Sequence, residues 1–508
     1  MTTPVTAPTG RAAGAPPLRD RVRRALRRPA VTVAVALAAV LAVVGLGQLG
    51  VPTVVAADNT PLPEPVASTE LVCPVTTATA ALVSTVSAGV ASLATVTNGV
   101  ATLADLTTKA AASQPQVITE PGRTVTRVVT GKPGPALLAR ATGSFAAGFG
   151  ADQTIRSGQG SSRGLAVSPC ARPVTDAWLV GGGTTVGRLT QVLLVNDDDR
   201  PAQVDLLVYG PKGPVDAPGG SGIVLPASSR RQVRLDTLAP NQVVTAVHVL
   251  ARSGRIGVSG LDQQANGLIP LGMSLLPATQ PGRRVVIPNI PSPVHSARLD
   301  LLSPDTDATA KILLLTDDGA IAPVGIDQVS LPAGRVTSID LTGALAGMPA
   351  GLVVTATADV VAAVEVRTGE GADLKEKDTA AGTPALTRPG VVVGLARNQL
   401  THKVIVAAPA AAADVLFELF VPGRADAVWR QDVPVPSGAV RRVTIPVTTP
   451  SATSILVVTP VSGGPVYAGR QVTEAGARGP MIALAPIYPT RATALVPVVV
   501  SLPGSSVR

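Results

Sequence analysis

Apolar residues recur along this chain in short runs of β-branched and leucine side chains, such as Val204 to Tyr209, Val243 to Val249, Leu352 to Thr357 and Ile455 to Thr459. Pro-Ala-Gly and Asp-Gly turns interrupt these runs at about ten-residue spacing, which is a strand signal rather than a helix signal. Several runs alternate, as in Arg231-Gln232-Val233-Arg234-Leu235, so one face of a sheet meets a core and the other meets water. The predicted fold is all-β, a tandem array of β-sandwiches of immunoglobulin-like or fibronectin-like type.

The pattern repeats at about 105 residues, the length of one small sandwich. Leu225-Pro226-Ala227 returns as Leu331-Pro332-Ala333-Gly334 and as Val435-Pro436-Ser437-Gly438, and Val360-Val361-Ala362 returns as Val466-Tyr467-Ala468. Trp178-Leu179-Val180, Val285-Val286-Ile287 and Val391-Val392-Val393 open the units, which are expected over residues 174–283, 284–388 and 389–476. Gly164 to Ser168 resembles a closing strand, so residues 70–173 read as a degenerate N-terminal β domain. Within it, Val86, Val90, Leu93, Val96, Val100, Leu103 and Leu106 keep a three-or-four spacing that predicts a helical insertion. In the tail, 477–508, Leu495-Val496-Pro497-Val498 looks like the first strand of a unit never completed. Such an orphan strand is expected to pack back on the third sandwich or the N-terminal domain, and ring closure is one arrangement open to it. Residues 51–70 read as a linker, and 370–388, with Glu370, Asp373, Lys375, Glu376 and Lys377, as linker or exposed loop.

One run breaks the pattern. Val31 to Leu49 carries no charge and, at about 1.5 Å per residue, would span roughly 28 Å, near the thickness of a bilayer core. Before it, residues 1–30 hold Arg11, Arg19, Arg21, Arg23, Arg24, Arg27 and Arg28 against the single acid Asp20. The positive-inside rule then makes 1–30 a cytoplasmic tail, 31–50 a transmembrane helix and the rest extracytoplasmic. Val55, Ala56 and Ala57 would suit a signal peptidase, but the apolar run exceeds the ~7–15 residues of a signal core, which favours an uncleaved single-pass anchor.

The formal net charge of +9 changes little, because the first 30 residues supply +6 of it and the exported part has no basic run with interleaved aromatics. Nucleic acid is therefore not an expected partner. The two cysteines, Cys73 and Cys170, both fall on the exported side, where a bridge persists, and they are paired as a disulfide. Abundant alanine, valine, glycine, proline and arginine suit a GC-rich bacterial genome.

Candidate chemistry is sparse. Gly160-Ser161-Ser162-Arg163-Gly164 fits GxSxG, yet it precedes a strand instead of joining strand to helix. His295 and His402 occupy equivalent points, with Arg188 at that point in the first unit, and read as a polar edge position. His248 lies among valines in a strand. Asn196-Asp197-Asp198-Asp199 and Asp305-Thr306-Asp307 offer calcium-type oxygens, but the third unit has Pro409-Ala410-Ala411-Ala412 there. Asp317-Asp318-Gly319 reads as a hairpin turn, and Gly181-Gly182-Gly183 does not meet the dinucleotide pattern. Trp178, Trp429, Tyr209 and Tyr467 sit on predicted strands, where burial competes with a sugar platform. No catalytic, cofactor-binding or metal-binding residue is assigned.

Arg163-Gly164-Leu165-Ala166-Val167-Ser168-Pro169-Cys170, Trp178-Leu179-Val180-Gly181-Gly182, and Leu193-Leu194-Val195-Asn196 with Val204 to Gly210 resemble an actinobacterial family known as domain of unknown function 5719, made of membrane-anchored or secreted proteins. The likeness covers about residues 70–500, and Thr76 to Ala112 departs from it. The resemblance implies location and fold and brings no activity. The expectation is a non-catalytic, membrane-anchored envelope scaffold or interaction protein, without cofactors, whose partners are the cytoplasmic membrane and envelope proteins or surface glycans. The alternatives are a glycan-binding module and a membrane-anchored serine hydrolase.

Overall fold

In the computed structural model the described residues are 33–46, 62–74, 82–93, 95–107, 114–130, 134–369, 375–397, 400–424, 426–451, 453–476 and 478–496. The arginine-rich tail, most of the 51–70 linker, and Glu370 and Asp373 lie outside them. Residues 33–46 are helical with exposed side chains. Among the described residues no helix is long and apolar enough to cross a membrane. Residues 1–62 with 495–508 form one unit and Pro63–Ala494 the other.

The larger unit is built from antiparallel β-sheets. Its second pair of sheets sets the pattern. One sheet runs Asp176–Val180, Ala246–Ser253, Ala202–Gly210, with Gly213–Val215 and Ile223–Leu225 on its outer edge; the other runs Ser229–Arg234, Arg188–Asn196, Gly257–Asn266, Ile269–Pro277. Alternating side chains (Leu179, Val192, Leu194, Val204, Leu206, Val247, Val249, Val258) close a core between the two. The same order recurs in a first pair, with opening strand Ser68–Cys73 and closing strand Gly164–Pro169, and in a fourth, from Gly390–Leu395 to Met481–Pro486. In the third, Gly282–Ile290 opens and Glu376–Ala381 closes, and the 19-residue strand Ala350–Thr368 passes from one sheet into the other.

Apolar faces also join neighbouring pairs. Val72 and Ala136 of the first pack on Val195 of the second; Trp178, Val180 and Ala246 of the second on Leu302, Val361 and Ala363 of the third. Val286 and Val353 of the third meet Ile405, Ala407 and Val440 of the fourth, and Val393, Ile455 and Val457 of the fourth meet Ala91 of the first. The circuit therefore closes, with the four closing strands gathered at its centre.

Two expectations change. Residues 83–90 and 99–105 are strands, Val83–Val90 and Gly99–Asp105, not a helix. Their β-branched and glycine content opposes helix, and the three-or-four spacing arises because two alternating strands are joined by a turn. Glu376–Ala381, read as linker or exposed loop, is an innermost strand buried at every position. In the tail, Met481–Pro486 pairs with Tyr467–Glu474, and Thr493–Val496 forms a two-stranded ribbon with Leu62–Pro65. The Cys73–Cys170 disulfide ties the opening strand of the first pair to the end of its closing strand, with Cα atoms 4.7 Å apart.

Candidate functional site

The densest chemistry lies where the closing strands converge. Glu376, Lys377 and Asp378 alternate along one buried strand, so Glu376 and Asp378 point toward the neighbouring closing strands and Lys377 the other way. Lys377 reaches Asp262, which also receives Arg188 Nη2 at 2.7 Å and Thr190 Oγ1 at 2.7 Å. Arg188 bridges onward to Glu365, which Arg367 meets at 3.1 Å and Arg298 at 3.5 Å. Arg298 in turn holds Asp300 at 2.9 Å, and Ser338 Oγ donates to the same carboxylate at 2.6 Å.

Burial alone would push Asp262 up, but Lys377 and Arg188 hold it well below the usual carboxylate range. Burial also opposes the charge on Glu365, and Arg188, Lys377 and Arg298 bring it to about 2. This half of the cluster is a set of mutually neutralised charges.

Glu376 and Asp378 behave differently. Arg163 Nη1 donates to Glu376 Oε2 at 3.0 Å, while Oε1 is buried without a hydrogen-bond partner, and burial pushes Glu376 up to about 8. Asp378 accepts from the backbone N–H of Leu484 and from that of Thr379 at 2.7 Å, and burial raises it to about 7. The Leu484 amide lies on the closing strand of the fourth pair, so a carboxylate here supplies the acceptor that an edge strand lacks. Asp152 repeats the device: it accepts from Val393 N–H at 2.8 Å and from Arg470 at 2.6 Å, and burial raises it.

Strand approach is close enough to require glycine. A Cβ on Gly164 would lie 2.9 Å from the Met273 nitrogen, and one on Gly272, whose φ is +104°, would lie 2.5 Å from the Lys377 nitrogen. Glu376 and Lys377 are wholly buried between strands this near, so this inner part of the cluster joins strand to strand. Arg188, on its other side, also lines an open depression of about 380 Å³.

The residues singled out in the sequence are scattered. Ser162 Oγ lies 3.4 Å from Ser157 Oγ. The histidines are engaged elsewhere: His248 Nε2 is 3.0 Å from Asp176 Oδ2 and stacks on Trp178 at 4.1 Å, the backbone of His295 donates to Arg367, and His402 Nε2 is 2.9 Å from Ala396 O. Burial brings His402 down to about 4. Arg188, expected at a polar edge position, is instead buried in the cluster. Asn196 ties its turn to Pro226 O at 2.9 Å, and Asp307 accepts from Ala333 N–H at 2.8 Å, so both acidic turns clamp the Leu-Pro-Ala turns beside them. Among the described residues no group of three or more His, Cys, Asp or Glu is placed to hold a metal. Gly183 N–H donates to Thr190 Oγ1 at 2.8 Å. Trp178 is buried against Tyr209, and Trp429 and Tyr467 are half-buried. Two open depressions, of about 240 and 380 Å³, lie beside Tyr209 and Thr184.

Residues 124–446 match a family model described as a family of unknown function, DUF5719. The chain belongs to this family. No curated protein matches it. The DUF5719 match runs from the outer strand Thr124–Thr130 to the outer strand Ala439–Ile445, and so contains Arg163, Arg188, Asp262, Glu365, Glu376, Lys377 and Asp378. Glu376 to Asp378 were missed because a charge run reads as solvated. The signal that finds them is the repeat offset, which sets Glu376–Ala381 opposite Met481–Pro486.

Proposed function

We propose that this DUF5719 protein is a non-catalytic, single-pass scaffold or interaction protein on the outer side of a bacterial cytoplasmic membrane, its four sheet pairs being copies of one β-sandwich unit. The observation that carries the reading is the use of the ionisable groups. Those buried most deeply are spent on one another and on strand edges, an arrangement suited to holding a rigid shape. The uncharged run Val31 to Leu49 behind its arginines, and a disulfide in the larger unit, support export and anchorage. Crosslinking in intact membranes followed by capture of the chain tests the reading: a reproducible envelope partner is expected, and protection of the C-terminal bulk from protease added to protoplasts overturns it.

A glycan-binding module is the second reading, favoured by Trp429, which is half-exposed at the start of the outermost strand Trp429–Val435. Retention on purified cell-wall polysaccharide, abolished by Trp429→Ala, would select it over the scaffold.

A further inference from the structure

The linkers between sheet pairs collect at one end of the closing strands. Tyr488 Oη donates to Ala278 O at 3.2 Å, Thr490 N–H to Pro389 O at 2.9 Å, and Arg172 Nη2 to Pro489 O at 3.4 Å, so the tail touches all three linkers. Thr279 Oγ1 adds a link to Gly382 O at 3.0 Å. The incoming chain arrives at this same end, where Val66 N–H donates to Ala492 O at 3.0 Å.

The three linkers and the tail bring arginine to this end: Arg172 in 170–175, Arg283 and Arg284 where 278–281 enters the strand Gly282–Ile290, Arg388 in 382–389, and Arg491 in 487–492. None of the four contains Asp or Glu. Arg283, Arg284 and Arg491 are exposed, and Arg172 and Arg388 are half-buried. Arg388 Nη2 donates to Thr493 Oγ1 at 2.7 Å, a neutral partner. Burial, together with the positive charge of Arg491, brings Arg172 down to about 10. On the adjoining segments stand Asp176, engaged by His248, Glu64 of the incoming strand, and exposed Asp359, next to the residue that pairs with Gly282. Gathering like charges at one end while leaving carboxylates out of all four segments costs stability in the free protein, and an anion offsets that cost.

We propose that this end of the larger unit is a docking face for the phosphate headgroups of acidic phospholipids. The guanidinium fork suits phosphate oxygens, and the polypeptide entering here is the one that follows the apolar run in sequence. The inference rests on the anchored reading above.

The test uses the full chain reconstituted into vesicles of phosphatidylcholine alone or mixed with phosphatidylglycerol, followed by flotation and by hydrogen exchange of the linkers. Linker exchange is expected to slow at least about fivefold with phosphatidylglycerol, the size of one arginine at a charged surface. The effect should vanish in high salt and in Arg283→Glu/Arg284→Glu/Arg491→Glu, with Arg491→Gln giving a smaller loss should the triple variant melt early. Equal exchange in both lipids, with the chain floating in both, would overturn the docking face and leave the anchor standing. Flotation with phosphatidylglycerol vesicles only would remove the anchor. It would support the face if the triple variant no longer floats and overturn the face if the variant floats as well through the arginines of residues 1–30. Flotation with neither would end both. Equal protection by a soluble acidic polysaccharide added to phosphatidylcholine vesicles would overturn the choice of lipid.

Discussion

Asp262 is the residue on which most of the buried charge converges, since Lys377, Arg188 and Thr190 all donate to it. Asp262→Asn leaves Lys377 and Arg188 to share Glu365, and stranding buried charge in this way costs about 3–5 kcal/mol, to be read from denaturant unfolding. The pH dependence follows from the other half of the cluster. Glu376 has a native pKa of about 8 and Asp378 of about 7, both above their unfolded values, so the stability they contribute is whole below about pH 4 and is lost as pH rises to 7–8. His402 works the other way: held at about 4, it contributes fully above about 6.5 and loses that contribution as pH falls toward 4. Glu365, at about 2, fails only in stronger acid. Two carboxyls outweigh one imidazole, so the melting temperature should fall between pH 5 and pH 8. Glu376→Gln should remove most of the fall above pH 7, and a flat wild-type profile over that range would contradict the assignment.

At the scale of elements, the spacing of the inner strands is set by glycine. Gly272→Ala forces a Cβ into the Lys377 backbone at a left-handed φ and should cost more than about 2 kcal/mol, whereas Gly343→Ala, with open space beside it, should stay within about 0.5 kcal/mol. Thermal melts of the pair decide it. Replacing Cys73 and Cys170 together by serine should remove on the order of 4 kcal/mol, as releasing a loop of 97 residues implies, and the same melts would register it. Strand elements were legible wherever β-branched runs alternate, because alternation reports which face is buried. Two places were not legible, for physical reasons. From Val86 to Leu106 the apolar positions of two strands, summed across a turn, imitate a helical period. At Glu376 to Asp378 burial is made possible by partners on other sheet pairs, Arg163, Asp262 and Leu484, far away in sequence. Local pattern carries no trace of a counter-charge supplied from elsewhere. The candidate site was thus invisible residue by residue, although Arg188 and Arg163 each stood in motifs already singled out.

At the scale of the larger unit, closure changes what a repeat can do. In a linear array each unit contacts only its neighbours, ends fray, and stability grows by increments. Here the fourth pair packs back on the first through Val393, Ile455 and Val457, and Met481, Ala483 and Ala485 cover Leu165 and Val167 of the first closing strand. Each sheet pair packs on two neighbours, so none stands at the end of an array. The larger unit should therefore unfold in a single calorimetric transition whose calorimetric and van't Hoff enthalpies agree. Deleting the residues after Arg478 removes the strand Met481–Pro486, uncovers Leu165 and Val167, and takes the Leu484 amide from Asp378. The loss should spread past the fourth pair, appearing in hydrogen exchange as faster opening of Gly164–Pro169 and Glu376–Ala381 together. Exchange confined to the fourth pair after this truncation, or an unchanged melting curve, would mean that the pairs behave as beads on a string and that the central cluster does not couple them.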